Sequence, residues 1–199
     1  MTGSQGLTGA TGADSTVAGP TGSTGAIGAT GAVGETGASA PVHAIGESYG
    51  GGKVFYVYDG GQHGLIAATA DQSTGIRWYG GTNTNTRAKA SGLGAGKANT
   101  ALIIANQGAV DTAAFAATVC NEYSVTVAGV TYADWYLPSK YELNLLYQQK
   151  TVVGGFAGDY YWSSSESNST YAWNQAFGNG TLNGSNKSTT LPVMAVRAF

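Results

Sequence analysis

Glycine returns at every third position through the first 37 residues, at 3, 6, 9 and 12 and again at 19, 22, 25, 28, 31, 34 and 37. Three polypeptides wind into one rod only if the residue facing their shared axis lacks a side chain, and in that geometry the axial residue recurs every third position. A flexible Gly/Ser/Thr linker has no physical reason to keep such a period. The residues from Ala13 to Ala18 interrupt it and slip the register by one, after which it resumes for seven triplets. Residues 1–40 are therefore expected to form a collagen-like triple-helical stalk with an interruption at 13–18. Gly19, Gly22, Gly25, Gly28, Gly31, Gly34 and Gly37 are its expected axis residues, and the protein is expected to be a homotrimer.

The stalk is short of the usual support. Pro20 is its only proline before Pro41, and the third triplet position is filled repeatedly by Thr, at 8, 11, 21, 24, 30 and 36. Without proline to pre-set the polyproline dihedrals, the triple helix needs help in aligning its strands, and the rest of the chain is the expected source. The run from Gly19 to Ser39 would span roughly 65 Å at about 3 Å per residue.

Every Trp, Tyr and Phe lies after Pro41, which divides the chain into stalk, a junction at 41–49 and a head at 50–199. The net charge is −2, and only Asp14 and Glu35 are ionised before Pro41, so the head is electrically balanced. That balance argues against a nucleic-acid partner, which calls for an excess of Lys and Arg. No apolar run approaches the roughly 18 residues of a membrane span, so no membrane insertion is expected. One cysteine, Cys120, permits no intrachain disulfide and no cysteine-held zinc, and it is expected to be a small buried apolar residue.

The head reads as strands, then helices, then strands, which predicts an α+β fold. Lys53–Tyr58 and Leu65–Thr69 flank a Gly-rich turn and predict a hairpin, with a further short strand at Ile76–Tyr79. Helical spacing predicts a helix from Lys97 to Gln107. A second is expected after an Asp111 N-cap, with Ala113, Ala116, Ala117 and Cys120 on one face. Ser139 and Glu142 form a capping-box pattern after Pro138, predicting a helix to about Gln149. Strands follow at Tyr160–Ser163, Tyr171–Phe177 and Val193–Phe199.

Five segments in order carry a resemblance. They are Gly52-Lys-Val-Phe-Tyr-Val with Gln62-His-Gly-Leu-Ile-Ala-Ala68, Asp134-Trp-Tyr-Leu-Pro-Ser with Glu142-Leu143, Tyr161-Trp-Ser-Ser-Ser165, Ala172-Trp173 with Phe177-Gly-Asn-Gly180, and Val196-Arg197. Together they resemble the C-terminal domain of the Legionella collagen-like adhesin, over nearly the whole head. The resemblance implies a C-type lectin-like fold and a trimeric surface protein that attaches to sulfated polysaccharides. It also implies kinship with heads that cap bacterial and phage-like fibres, and an extracellular or cell-surface location. Many members carry a cysteine in the closing strand that matches one after the second helix. Here the closing segment reads Val193-Met-Ala-Val-Arg197 and leaves Cys120 unpaired.

No catalytic or metal-binding set emerges, and no cofactor is expected. His43 and His63 stand apart from any nucleophile, Ser163–Ser165 lack the strained Gly-x-Ser-x-Gly elbow, and the carboxylates are scattered. Asp134 is expected to shape the turn before a core Trp135. The expected recognition surface is the Ser-, Thr- and Asn-rich run from Ser163 to Thr190, because amides and hydroxyls pair with sugar hydroxyls while aromatic rings stack on sugar C–H faces. Tyr171, Trp173, Asn174, Asn183 and Lys187 are its candidate ligand contacts, with Lys140, Arg87 and Lys89 joining Lys187 in a local basic spot. The expected partner is a glycan or polysaccharide of a cell envelope or matrix. The other reading is a structural tip that only nucleates and registers the trimer.

Overall fold

The structure is a computed structural model that describes residues 4–14, 16–28, 40–108 and 113–199. The chain divides into two units, Met1–Ala38 and Ser39–Phe199. The described residues of the first form no helix or strand and are exposed throughout. At Gly6, Gly9, Gly12, Gly19, Gly22, Gly25 and Gly28 an added Cβ would meet nothing within 4 Å. The other expected axis residues, Gly31, Gly34 and Gly37, and the expected helix cap Asp111 lie outside the described residues.

The second unit mixes helix and sheet, as the α+β expectation has it. A four-stranded antiparallel sheet has the order β1 (Ser48–Tyr49), β2 (Gly52–Tyr58), β3 (His63–Ala67) and β11 (Val196–Ala198). A three-stranded meander joins β7 (Tyr160–Glu166), β8 (Tyr171–Ala176) and β9 (Leu182–Asn186). Between them, β4 (Ser73–Ile76) pairs with β10 (Leu191–Val193), and β5 (Val125–Val127) with β6 (Val130–Tyr132). The helices are α1 (Ala95–Gln107), α2 (Ala116–Asn121), α3 (Lys140–Gln148) and α4 (Lys150–Val153). Among the described residues no helix is long and apolar enough to cross a membrane.

The hairpin β2–β3 and helices α1 and α3 fall close to where the sequence puts them. Three expectations shift. The strand expected at Ile76–Tyr79 ends at Ile76, and Trp78 beyond it is core. Helix α2 begins only at Ala116, so Ala113 precedes it, and its first turn is closed by Thr118, whose Oγ1 accepts the Phe115 N–H at 2.9 Å. The closing segment is two strands: Leu191–Val193 pairs with β4 while Val196–Ala198 pairs with β3.

The core is aromatic, and its tryptophan N–H groups are satisfied. Trp78, Trp135 and Trp162 are buried, and each indole N–H donates to a backbone carbonyl, of Ser163 at 2.8 Å, Tyr132 at 3.1 Å and Ile76 at 2.9 Å. A Trp fully inside needs such a partner, and losing one such side chain typically costs about 3–5 kcal/mol. Trp135 is thus core, as expected. Asp134 does more than shape a turn: its carboxylate accepts from Arg197 Nε at 2.6 Å and from Nη2 at 3.3 Å, fastening the segment before Trp135 to β11. Burial pushes the Asp134 pKa up, but the bond and charge of Arg197 outweigh it and leave the carboxyl lowered.

Glu142 joins two helix starts. Ser139 Oγ accepts the Glu142 N–H, and the Glu142 carboxylate accepts the Ser139 N–H at 2.8 Å, completing the expected capping box of α3. The same carboxylate accepts the N–H groups of Gly94 at 2.8 Å and Gly96 at 3.2 Å, at the start of α1, which has no polar cap of its own. Donors left orphaned at two helix N-termini are thereby met by one side chain. A Cβ on Gly96 would run into that carboxylate, so glycine there is a packing requirement.

Candidate functional site

The meander β7–β8–β9 presents its residues alternately to two faces. Tyr171, Trp173 and Gln175 share one face of β8, and Ala172, Asn174 and Ala176 the other. Helix α3 lies across the first: Gln175 Nε2 donates to Asn144 Oδ1 at 2.9 Å, and Lys140 Nζ sits 4.4 Å from the centre of the Trp173 ring. What remains open is the end of that face, where exposed Tyr171 and half-buried Trp173 stand beside Lys140. The capping box aims Lys140 there, because the Lys140 N–H is also tied to Ser165 Oγ at 3.0 Å.

A second strip borders the same place. Ser165 Oγ donates to the Ala90 carbonyl at 2.8 Å, and the Glu166 N–H to the Ala88 carbonyl at 2.7 Å, so the segment 86–90 runs beside the end of β7. The Glu166 carboxylate, fully buried, accepts from the N–H groups of Thr86 at 2.8 Å and Arg87 at 3.1 Å. Arg87 has a left-handed backbone, φ 62°, unusual for a residue with a Cβ. Glu166 and Asn85 Oδ1, both accepting the Arg87 N–H, hold it there. Backbone held against its preference often marks a working surface, and here it leaves the Arg87 and Lys89 side chains exposed.

The expected contacts separate accordingly. Tyr171 and Trp173 come together. Asn183 is exposed but pairs across strands with Asn174, which places both on the opposite face from Trp173. Asn174 is wholly buried, and its amide nitrogen and oxygen meet no partner among the described residues. Lys187 is corrected more sharply. It is wholly buried, its Nζ donates to Glu166 Oε1 at 2.6 Å and to the Thr84 carbonyl at 2.9 Å, and it lies 4.6 Å from the centre of the Trp78 ring. Burial pushes its pKa down, and the Glu166 charge opposes that. Lys187 thus drops out of the expected basic spot, Arg87 and Lys89 are exposed on the segment beside the end of β7, and Lys140 has Trp173 as the ring beneath it. Sequence reading missed that last pairing, although the Ser139–Glu142 box determines where the first residue of α3 points.

Ser163, Ser165 and Cys120 are engaged within the fold. Ser163 Oγ donates to the Trp173 carbonyl at 2.8 Å and Ser165 Oγ to Ala90. Cys120 is a free buried thiol whose pKa burial drives up, which suppresses the thiolate. Asp71, beside Gln72, Glu122 and Tyr123 in an open pocket of about 410 Å³, has its pKa raised by burial while accepting the Tyr161 hydroxyl at 3.0 Å.

A family model for the Lcl C-terminal domain matches residues 67–197. The matched stretch contains α1–α4, β4–β10, nearly all of β11 and the whole Trp173–Lys140 surface. It begins after most of the β2–β3 hairpin, so the first of the five resembling segments lies largely ahead of it. No curated protein matches the chain. With some two thirds of its residues, including every residue around Trp173, inside that match, the chain belongs to the Lcl C-terminal domain family, an adhesin-related family.

Proposed function

We propose that this protein is the tip of a homotrimeric fibre at a cell surface, with a collagen-like stalk and heads of C-type lectin-like fold that attach to acidic glycans without turning them over. The observation that carries the reading is the Lys140 ammonium 4.4 Å from the Trp173 ring, with exposed Tyr171, Arg87 and Lys89 around the same end of β7. An indole face and a phenol ring suit the C–H faces of sugars. Arg87, Lys89 and Lys140, which form no ion pair among the described residues, suit sulfate or carboxylate groups. The head needs no net positive charge for this, because Lys187, Glu142 and Glu166 lie inside and the surface charge is local.

The stalk part of the reading is supported by the glycines. In the described residues of the first unit nothing within the chain would obstruct a side chain at Gly6 through Gly28, and none of these glycines has a positive φ. Neither a turn nor a close approach within one chain accounts for a strict period of three. Neighbouring chains at a shared axis do. Three heads on one rod then bind a repeating polysaccharide with avidity that one head lacks.

The test is binding of the full chain to immobilised sulfated and carboxylated polysaccharides. Trp173→Ala and Lys140→Ala are each expected to weaken binding about tenfold or more, as buried aromatic and cationic anchors do, and raised salt should weaken it further. Retention of no surface polysaccharide by the wild-type trimer would leave the head as a structural tip that only registers the stalk.

A further inference from the structure

We infer that the turn Val42–Gly46, at the start of the head, packs against the same turn of two further copies of this chain at the axis of a trimer. The inference rests on the trimeric reading above and names the surface that carries it.

The turn is a fixed part of the head. The His43 N–H donates to the Gly61 carbonyl at 2.9 Å, Gly46 N–H to Val54 at 2.8 Å and Glu47 N–H to Ala44 at 3.1 Å. The His43 ring stacks on Tyr49 with centroids 3.7 Å apart and meets Phe199 edge-on at 5.1 Å. Its polar and aromatic groups thus face the head. Its aliphatic groups do not: Val42 is 66% exposed and Ile45 43%. Ile45 stands at the tip of the turn just before Gly46, whose φ of 90° requires glycine, in a place where polar residues are usual. Val152 of α4, 45% exposed, lies 3.1 Å from where a Cβ on Gly46 would sit and extends the patch.

What covers this patch follows from the chain itself. Gly37, the last glycine of the period, precedes Val42 by five residues, a reach of at most about 18 Å when extended. Chains that share an axis at Gly37 therefore deliver three copies of the turn to within that distance of the axis. Residues beside a threefold axis meet their own copies, so a charge there would confront two like charges, whereas an aliphatic side chain packs with its equivalents. From Ala38 to Gly46 the chain has no Asp, Glu, Lys or Arg. Its one titratable ring, His43, is turned to Glu47, with Nδ1 and Oε1 3.0 Å apart. The charges nearest the turn are tied to it, Lys53 Nζ donating to the Gly46 carbonyl at 3.3 Å and the Glu47 carboxylate accepting the Ala44 N–H at 3.1 Å, which leaves Val42 and Ile45 as the exposed aliphatic side chains of a rigid turn.

The test is sedimentation of the full chain across a concentration series. The double variant Val42→Asp with Ile45→Asp is expected to need at least tenfold higher concentration to form trimers, with the near-ultraviolet circular dichroism of the head unchanged. Leu102→Asp, at an equally exposed apolar position on α1, should behave as wild type. Independently of how the aspartates fold, oxidised Ile45→Cys should link two chains into a covalent dimer, and Leu102→Cys should not. Cys120 is buried and does not compete. A wild-type trimer unaffected by the double substitution, with Ile45→Cys left unlinked, overturns this inference and leaves the trimeric reading standing. A wild-type chain that is monomeric at every concentration overturns both.

Discussion

Glycine serves opposite purposes in the two units of this protein. In the described part of Met1–Ala38 each periodic glycine has open space where a side chain would go. In the head, a Cβ at Gly52 would strike the Ala67 carbonyl, one at Gly64 the Tyr56 carbonyl and one at Gly96 the Glu142 carboxylate. These three head glycines are required by contacts inside one chain. Those of the tract have no reason inside one chain, and their regularity points outside it. A residue count alone does not distinguish the two uses, but at Gly52, Gly64 and Gly96 the neighbours of the absent Cβ do.

The largest expected effect is in the head. Gly52→Ala places a methyl group against strand β3 backbone, which cannot move without breaking the β2–β3 ladder, so a loss of about 4 kcal/mol or more is expected. Calorimetry or near-ultraviolet circular dichroism should show the head's Tm lowered by roughly 10 °C. A variant as stable as wild type would mean that this glycine is as free as those of the tract, and the contrast would fail.

Glu142→Gln tests the same internal dependence through hydrogen bonding. One carboxylate oxygen becomes an amide donor facing backbone N–H groups, and a loss of about 2–3 kcal/mol is expected. The pH dependence has a definite sign. Burial raises the folded pKa of Glu142, so its relative contribution is full below the unfolded carboxylate value of about 4 and is lost as pH rises through the folded value. The deficit of the variant against wild type should therefore be greatest near pH 4 and shrink as pH rises, measured as ΔTm across a pH series. Asp134 has the opposite sign. Its lowered pKa gives stability present above the unfolded value and lost as pH falls through the folded one.

Gly28→Val should have the smallest effect on the head, within about 0.5 kcal/mol, while weakening any triple-helix transition of the full chain followed by far-ultraviolet circular dichroism. A shift in head melting would show that the tract's glycines answer to the head after all.

Local chemistry was legible in advance. The Ser139–Glu142 box, the β2–β3 hairpin and helix α1 depend on residues a few positions apart, and each appears where its neighbours require. The β5–β6 hairpin was missed although Val125-Thr-Val and Val130-Thr-Tyr alternate around a two-residue turn. Ala128 occupies a positive φ there, 49°, where Asn, Asp or Gly normally gives the signal. Among the expected contacts, the shared face of Tyr171 and Trp173 could be read from the alternation along one strand. Lys187 could not, since its immediate neighbours, half-buried Asn186 and exposed Ser188, are polar like those of any wet hairpin.

The sequence by itself determined the period of three, the boundary where aromatic residues begin, the α+β order of elements and the family to which the head belongs. All of these are properties of spacing and residue type along the chain. Tertiary structure alone decided that Lys187 is an internal cation, since Glu166 is 21 positions away and the Thr84 carbonyl 103. It alone placed Lys140 over Trp173 and made Glu142 the shared cap of two helices. A charge is a ligand contact or a buried counter-ion according to which groups the fold brings within 3 Å of it, and those groups are too distant in sequence for any local pattern to announce.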